Sequence, residues 1–155
     1  MRAAFLAAAI AAVPSVALAD FSGRVVKISD GDTLVVLVDR QPIRVRLDGI
    51  DAPERGQAFG KRSQQSLAEI CAAREARVED RGKDRYGRTI GRVSCTGIDA
   101  NSEQVRRGMA WVFDRYVKPD SPLYGLQSEA RRLKRGLWGD ANAVAPWQWR
   151  STRRP

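Results

Sequence analysis

The sequence predicts an α+β fold, mainly β, in which a small five-stranded barrel carries three packed helices. Five runs of strand length that carry Val, Ile or Leu lie between turn residues. Three other stretches repeat apolar residues at helical spacing. The length suits one domain with a modest core, since removing a 19-residue leader from 155 residues leaves 136.

That leader is Met1–Ala19, with Arg2 at the front, an apolar run from Ala3 to Val13, and Ala17-Leu18-Ala19 as a small-residue cleavage site. It reads as a secretory signal peptide. An uncleaved anchor helix is the alternative, but the run is shorter than the ~18 residues a spanning helix needs, and Pro14 breaks it. The mature protein is therefore expected to be exported, to the periplasm or the medium, as a monomer without stable membrane association. The domain follows at 20–140, and 141–155 forms a basic, tryptophan-containing tail.

Val25, Val26 and Ile28 mark the first strand, and Asp30-Gly31 turns into a second at Thr33–Asp39. After the turn Arg40-Gln41-Pro42, the segment Ile43–Asp48 alternates strictly. Ile43, Val45 and Leu47 thus face the core, and Arg44, Arg46 and Asp48 the other side. Pro53 ends the ladder in the turn Gly49–Glu54. Phe59–Ala73 is the first helix, on Phe59, Ser63, Leu67, Ile70 and Cys71. A short strand at Glu75–Asp80, a charged turn at Arg81–Arg88 and a fifth strand at Thr89–Cys95 follow. Asp99 or Asn101 caps a second helix that Gly108 ends, and Leu123–Leu137 is the third, with leucines at steps of three and four. Past Trp138-Gly139 the composition loosens, and the last residues are expected to be poorly ordered. A five-stranded oligonucleotide-binding (OB) barrel is the simplest closure of this strand count.

The 27 basic and 18 acidic residues give a net charge of +9, or +8 once Arg2 leaves with the leader. Such a surface suits polyanions, nucleic acid ahead of anionic lipid, although many exported proteins are basic and simply soluble. The chain has no histidine, which excludes Ser-His-Asp and Cys-His hydrolases, His-ligated zinc and His-based ribonuclease chemistry. Acid–base work falls to carboxylates, Lys, Tyr or Arg. Two cysteines, Cys71 and Cys95, are too few for a zinc site, and an oxidising compartment favours a disulfide over two buried thiols.

The chemistry concentrates in Asp30–Glu54. Asp32 opens the second strand and Asp51 follows the third, so pairing of those strands brings both carboxylates to one rim. Two acids and a backbone carbonyl suffice to start a site for Ca²⁺ or Mg²⁺. Glu54 is placed to take a proton from a bound water; its plainer reading is a carboxylate at a helix N-terminus. Arg46 and Arg88 offer planar forks for phosphoryl oxygens, though either alone reads as a surface arginine. Asp30 reads as turn chemistry, and Asp48 as a surface partner of Arg44 or a neighbouring strand.

D-G-D-T at Asp30–Thr33, V-R-L-D-G-I-D-A-P-E at Val45–Glu54, D-R-Y-G-R at Asp84–Arg88 and G-M-A-W at Gly108–Trp111 together resemble the thermonuclease family of staphylococcal-nuclease-like domains. The match runs from about Phe21 to Trp138. The resemblance implies an OB barrel and hydrolysis of DNA and RNA phosphodiesters, single strands favoured, with one Ca²⁺ and 3′-phosphate products. By resemblance, Asp32, Asp51 and the Ala52 carbonyl are metal ligands, and Glu54 activates water. Arg46 and Arg88 bind phosphate, while Arg85, Tyr86 and Tyr116 contact the nucleotide. Two departures stand out: the link from Glu54 to the first helix is short and lacks the long basic loop of the best-known member, and Phe113-Asp114-Arg115-Tyr116 holds one tyrosine where that member has two.

Two other classes fit parts of the chain. A non-catalytic binding module would use the basic surface for single strands but has no need of Asp32, Arg46, Asp51, Glu54 and Arg88 together. A membrane-active basic protein would use the arginine-rich third helix and Trp147/Trp149, yet that helix's leucines are explained by core packing.

Overall fold

The computed structural model describes residues 19–153; apart from Ala19, the expected leader lies outside the described residues. Eight strands and four helices follow in order: β1 (Phe21–Ile28), β2 (Thr33–Val38), β3 (Gln41–Leu47), β4 (Ile50–Asp51), α1 (Gly60–Cys71), β5 (Glu75–Lys83), β6 (Thr89–Cys95), β7 (Ile98–Asp99), α2 (Ala100–Arg106), β8 (Trp111–Val112), α3 (Pro122–Arg132) and α4 (Pro146–Ser151). The five long strands run in the order β3-β2-β1-β5-β6, and a parallel pairing of β3 with β6 closes them into the expected barrel.

The alternating pattern of β3 holds, with Val45 and Leu47 fully buried. The β2–β3 hairpin turns one step earlier than the sequence suggests: Asp39 and Arg40 both adopt positive φ, and β3 starts at Gln41, pairing Pro42 with Leu37. Val25, Leu34, Val36, Val78 and Val93 fill the barrel, and Leu67 and Ile70 of α1 and Val105 of α2 cover it. A disulfide joins Cys71 at the end of α1 to Cys95 at the end of β6, fastening a helix to the barrel wall.

Two of the three expected helices match closely. Asp99 caps α2, its carboxylate accepting from the Ser102 amide at 3.1 Å. The third is shorter than its leucine pattern, ending at Arg132 instead of Leu137. Lys134 takes a positive φ, and the chain turns so that the Leu137 amide donates to the Gly108 carbonyl at 2.9 Å. A Cβ on Gly136 would lie 2.3 Å from that same carbonyl, so only glycine permits the crossing. A fourth helix, α4, lies within the stretch expected to be a basic, tryptophan-containing tail. Pro146 starts it at a position where a missing N–H costs nothing, and Gln148 Oε1 accepts from the Ala145 amide at 3.4 Å.

No described helix is long and apolar enough to cross a membrane.

Candidate active site

The D-G-D turn is built by close packing. Gly31 lies against Ser63 of α1, and a Cβ there would come within 1.8 Å of the Ser63 hydroxyl oxygen. Buried Gln104 of α2 donates to the Gly31 carbonyl at 2.7 Å and to the Ser63 carbonyl at 3.1 Å. The turn thus has one position relative to both helices, and Asp32 leaves it at the head of β2.

Ladder register brings the remaining groups to Asp32. Thr33 faces Arg46 across β2–β3, and the Leu47 amide donates to the Asp32 carbonyl at 2.8 Å. The Ala52 amide donates to Asp32 Oδ2 at 2.9 Å, and Arg46 Nη2 lies 3.0 Å from Asp51 Oδ1 and 3.5 Å from Asp32 Oδ2. Asp32 and Asp51 therefore meet at one rim, and Arg46 and Ala52 lie there with them. Asp32 is 6% and Asp51 1% exposed. Burial pushes the Asp51 carboxyl up, and the neighbouring Asp32 charge adds to this while the Arg150 and Arg46 guanidiniums oppose it.

Asp30 is more than turn chemistry. Its Oδ1 accepts from the Asp32 amide at 3.1 Å, and burial, followed by the Asp32 charge, raises its pKa to about 6. Its field also reaches Arg46. Asp48, expected to pair with an arginine, forms no ion pair among the described residues; its amide donates to Gly91 instead.

Glu54 stands in the turn after Pro53, with its amide donating to Gln57 Oε1 at 3.1 Å. The contact to its carboxylate comes from a residue that no sequence pattern singles out. Arg150 of α4 donates through Nη1 to Glu54 Oε1 at 2.7 Å and through Nη2 to Asp51 Oδ2 at 2.7 Å. These partners raise its pKa despite the opposing effect of burial.

The second arginine is placed by the β5–β6 turn. Asp84 gathers it, accepting from the amides of Tyr86 (2.9 Å) and Arg88 (3.0 Å) and from Arg88 Nε at 2.7 Å. Arg88 does not touch the acidic rim, but it directly precedes Thr89, which pairs with Val45 beside Arg46, so both arginines stand at the same end of the barrel. Arg85 stacks over exposed Tyr86 at 4.8 Å. Tyr116 is also exposed, edge-on to Phe113, whose other neighbour is the stacked ring of Trp147 at 5.3 Å. The structure brings none of Arg85, Tyr86 and Tyr116 into contact with the acidic rim.

The donor set fits a hard divalent cation. Four carboxylates (Asp30, Asp32, Asp51, Glu54) stand against two guanidiniums (Arg46, Arg150), an excess of acidic groups at a rim where Asp32 and Asp51 are buried and Glu54 is partly exposed. Among the described residues, no hydrogen bond engages the Ala52 carbonyl oxygen, and no group of three acidic, His or Cys side chains can enclose an ion alone. A cation here would take two carboxylates and that carbonyl, leaving its remaining positions to water or substrate oxygens.

The closed five-stranded barrel thus carries at its rim paired carboxylates bridged by the Arg46 and Arg150 guanidiniums. The profile of the staphylococcal nuclease homologue family matches residues 44–140. The chain is 49% identical to "Micrococcal nuclease" of Shigella flexneri over 94% of this chain and 90% of that protein. It is 44% identical to "Protein ParB" of Escherichia coli, covering 97% and 90%, and 45% identical to "Uncharacterized endonuclease" of Escherichia coli O157:H7, covering 85% and 86%. The chain belongs to the staphylococcal nuclease homologue family.

Proposed function

We propose that this protein is an exported, calcium-dependent nuclease that hydrolyses DNA and RNA phosphodiesters, single strands favoured, to 3′-phosphate ends. The single observation that carries the reading is the convergence of Asp32, Asp51 and Arg46 on one buried rim, with Glu54 beside it. The nuclease names of the relatives support it. Export rests on the leader pattern of residues 1–19.

Asp32, Asp51 and the Ala52 carbonyl would hold the ion, whose chemistry is to neutralise charge on the phosphoryl oxygens. Arg46 and Arg88 bind the phosphate from two directions and oppose the charge that develops on it. Glu54 takes the proton of the attacking water. The phosphorus bond to the 5′-oxygen then breaks, the departing 5′-oxygen takes a proton from solvent water, and the phosphate stays on the 3′ side. An open groove lined by Arg55, Phe59, Lys61 and Arg62 runs beside Glu54 and suits the strand's flanking phosphates in place of the absent basic loop.

The test is digestion of single-stranded DNA with and without Ca²⁺ by wild type and Glu54→Gln. Calcium-dependent cleavage that falls about 10²–10⁴-fold in the variant is expected. Equal activity overturns Glu54 as the base. Binding without cleavage at any divalent metal would make the protein a binding module instead.

A further inference from the structure

Glu54 needs a holder. Its side chain is 44% exposed in a turn, and a carboxylate so placed samples many rotamers. Gln57 fixes only its backbone: Oε1 accepts from the Glu54 amide, and Nε2 donates to the Val144 carbonyl at 2.6 Å. The second bond ties the Glu54 turn to the segment leading into α4. The helix is held on its other side by aromatic packing, with Trp147 stacked on Phe113 and edge-on to Trp111 at 5.7 Å. Trp111 in turn faces Asp51 across the β4–β8 pairing. Trp147 and Arg150 are one helical turn apart, so the anchor that seats α4 also aims its guanidinium at the acids.

The fork of Arg150 spans Asp51 and Glu54, donating to both Asp51 oxygens (3.2 and 2.7 Å) and to Glu54 Oε1 (2.7 Å). Among the described residues, Glu54 Oε2 has no hydrogen-bond partner. A lysine offers a point charge and cannot reproduce this two-acid bridge.

We propose that Arg150 is a positioning residue for the hydrolysis, holding the Glu54 carboxylate beside Asp51 with Oε2 turned to the incoming water. This rests on the assignment of Glu54 as base. Arg150 also shares Asp51 with the divalent cation, so its charge weakens ion binding while its geometry serves turnover.

The experiment uses the mature chain as wild type, R150Q and R150K. Ca²⁺ affinity is measured by calorimetry without substrate, and kcat and KM on a single-stranded oligonucleotide at saturating Ca²⁺. R150Q is expected to bind Ca²⁺ about tenfold more tightly, because one positive charge has left the rim. Its kcat is expected to fall about 10- to 100-fold with KM nearly unchanged, the penalty of a misplaced base. R150K should lie between the two. Unchanged kcat or unchanged Ca²⁺ affinity in folded R150Q overturns the proposal, as does a raised kcat, which would make α4 an inhibitory plug. If R150Q does not fold by circular dichroism, R150K decides, and a kcat equal to the wild type's overturns the proposal. A wild type that does not cleave overturns the hydrolytic reading itself; a cleaving wild type beside an equally active R150Q overturns only the role of Arg150.

Discussion

Asp32 and Ala52 lie twenty residues apart and are joined by a 2.9 Å hydrogen bond from the Ala52 amide to Asp32 Oδ2. One carboxylate thus organises the loop that carries the other proposed ligands and is itself a proposed ligand. The two duties separate in Asp32→Asn, whose amide oxygen still accepts from Ala52 but whose charge is gone. Ca²⁺ affinity should drop at least about tenfold, since affinity follows ligand charge. The metal-free melting temperature should change little, because relief of the repulsion with Asp51 is offset by the lost attraction to Arg46. Calorimetry and thermal melts with and without Ca²⁺ check both; wild type should gain melting temperature with Ca²⁺ and the variant should not.

Arg46 and Arg88 should behave differently when replaced by glutamine. Arg46 touches Asp32 and Asp51, whereas Arg88 is paired with Asp84 away from the rim. Arg88→Gln is expected to lower kcat about 10²–10³-fold and leave Ca²⁺ affinity alone. Arg46→Gln should change both quantities. An equal effect of the two on metal binding would contradict the division of roles.

Cys71 and Cys95 close a loop with a sequence separation of 24. By the chain-entropy model, reduction should cost about 3–4 kcal/mol of stability. Urea melts with and without reductant measure this. Because the bridge lies between α1 and β6 and not at the rim, turnover of the folded reduced protein at low temperature should be retained.

Asp99 gives stability a pH signature. Burial raises its pKa, but the hydrogen bonds from Arg92 and Ser102 outweigh that and hold it below the ordinary 3.8. The folded state therefore binds this proton less readily than the unfolded chain. The contribution is present above pH 3.8 and is lost as pH falls below it through the depressed folded value. Asp99→Ala should cost about 1 kcal/mol at pH 7 through the lost cap, with the gap to wild type narrowing below pH 4.

Most of the barrel is legible in the chain because period-2 alternation and turn residues act locally. Val45 and Leu47 declare their face within three residues. The acidic rim is legible for a related reason, since Asp32 directly precedes β2 and Arg46 and Asp51 lie on the next two strands. The shortened α3 was not, because its leucines continue the helical period past Arg132 and only the distant Gly108 contact explains the break. Arg150 was the least visible. It is one of 27 basic residues, its helix is six residues long, and its partners lie 96 and 99 positions earlier. The one local hint was Pro146, which favours a helix start.

The parallel closure sets Val45 against Thr89 and Arg46 against Ile90, pairs 44 residues apart. Contacts so distant form slowly, after most chain entropy has already been lost. Arg46 and Arg88, the two arginines proposed to bind phosphate, flank that seam, so no hairpin or helix pair taken alone contains the proposed centre. Recovery of cleavage on refolding should therefore lag behind recovery of secondary structure, which makes catalysis a clock for the last step of folding.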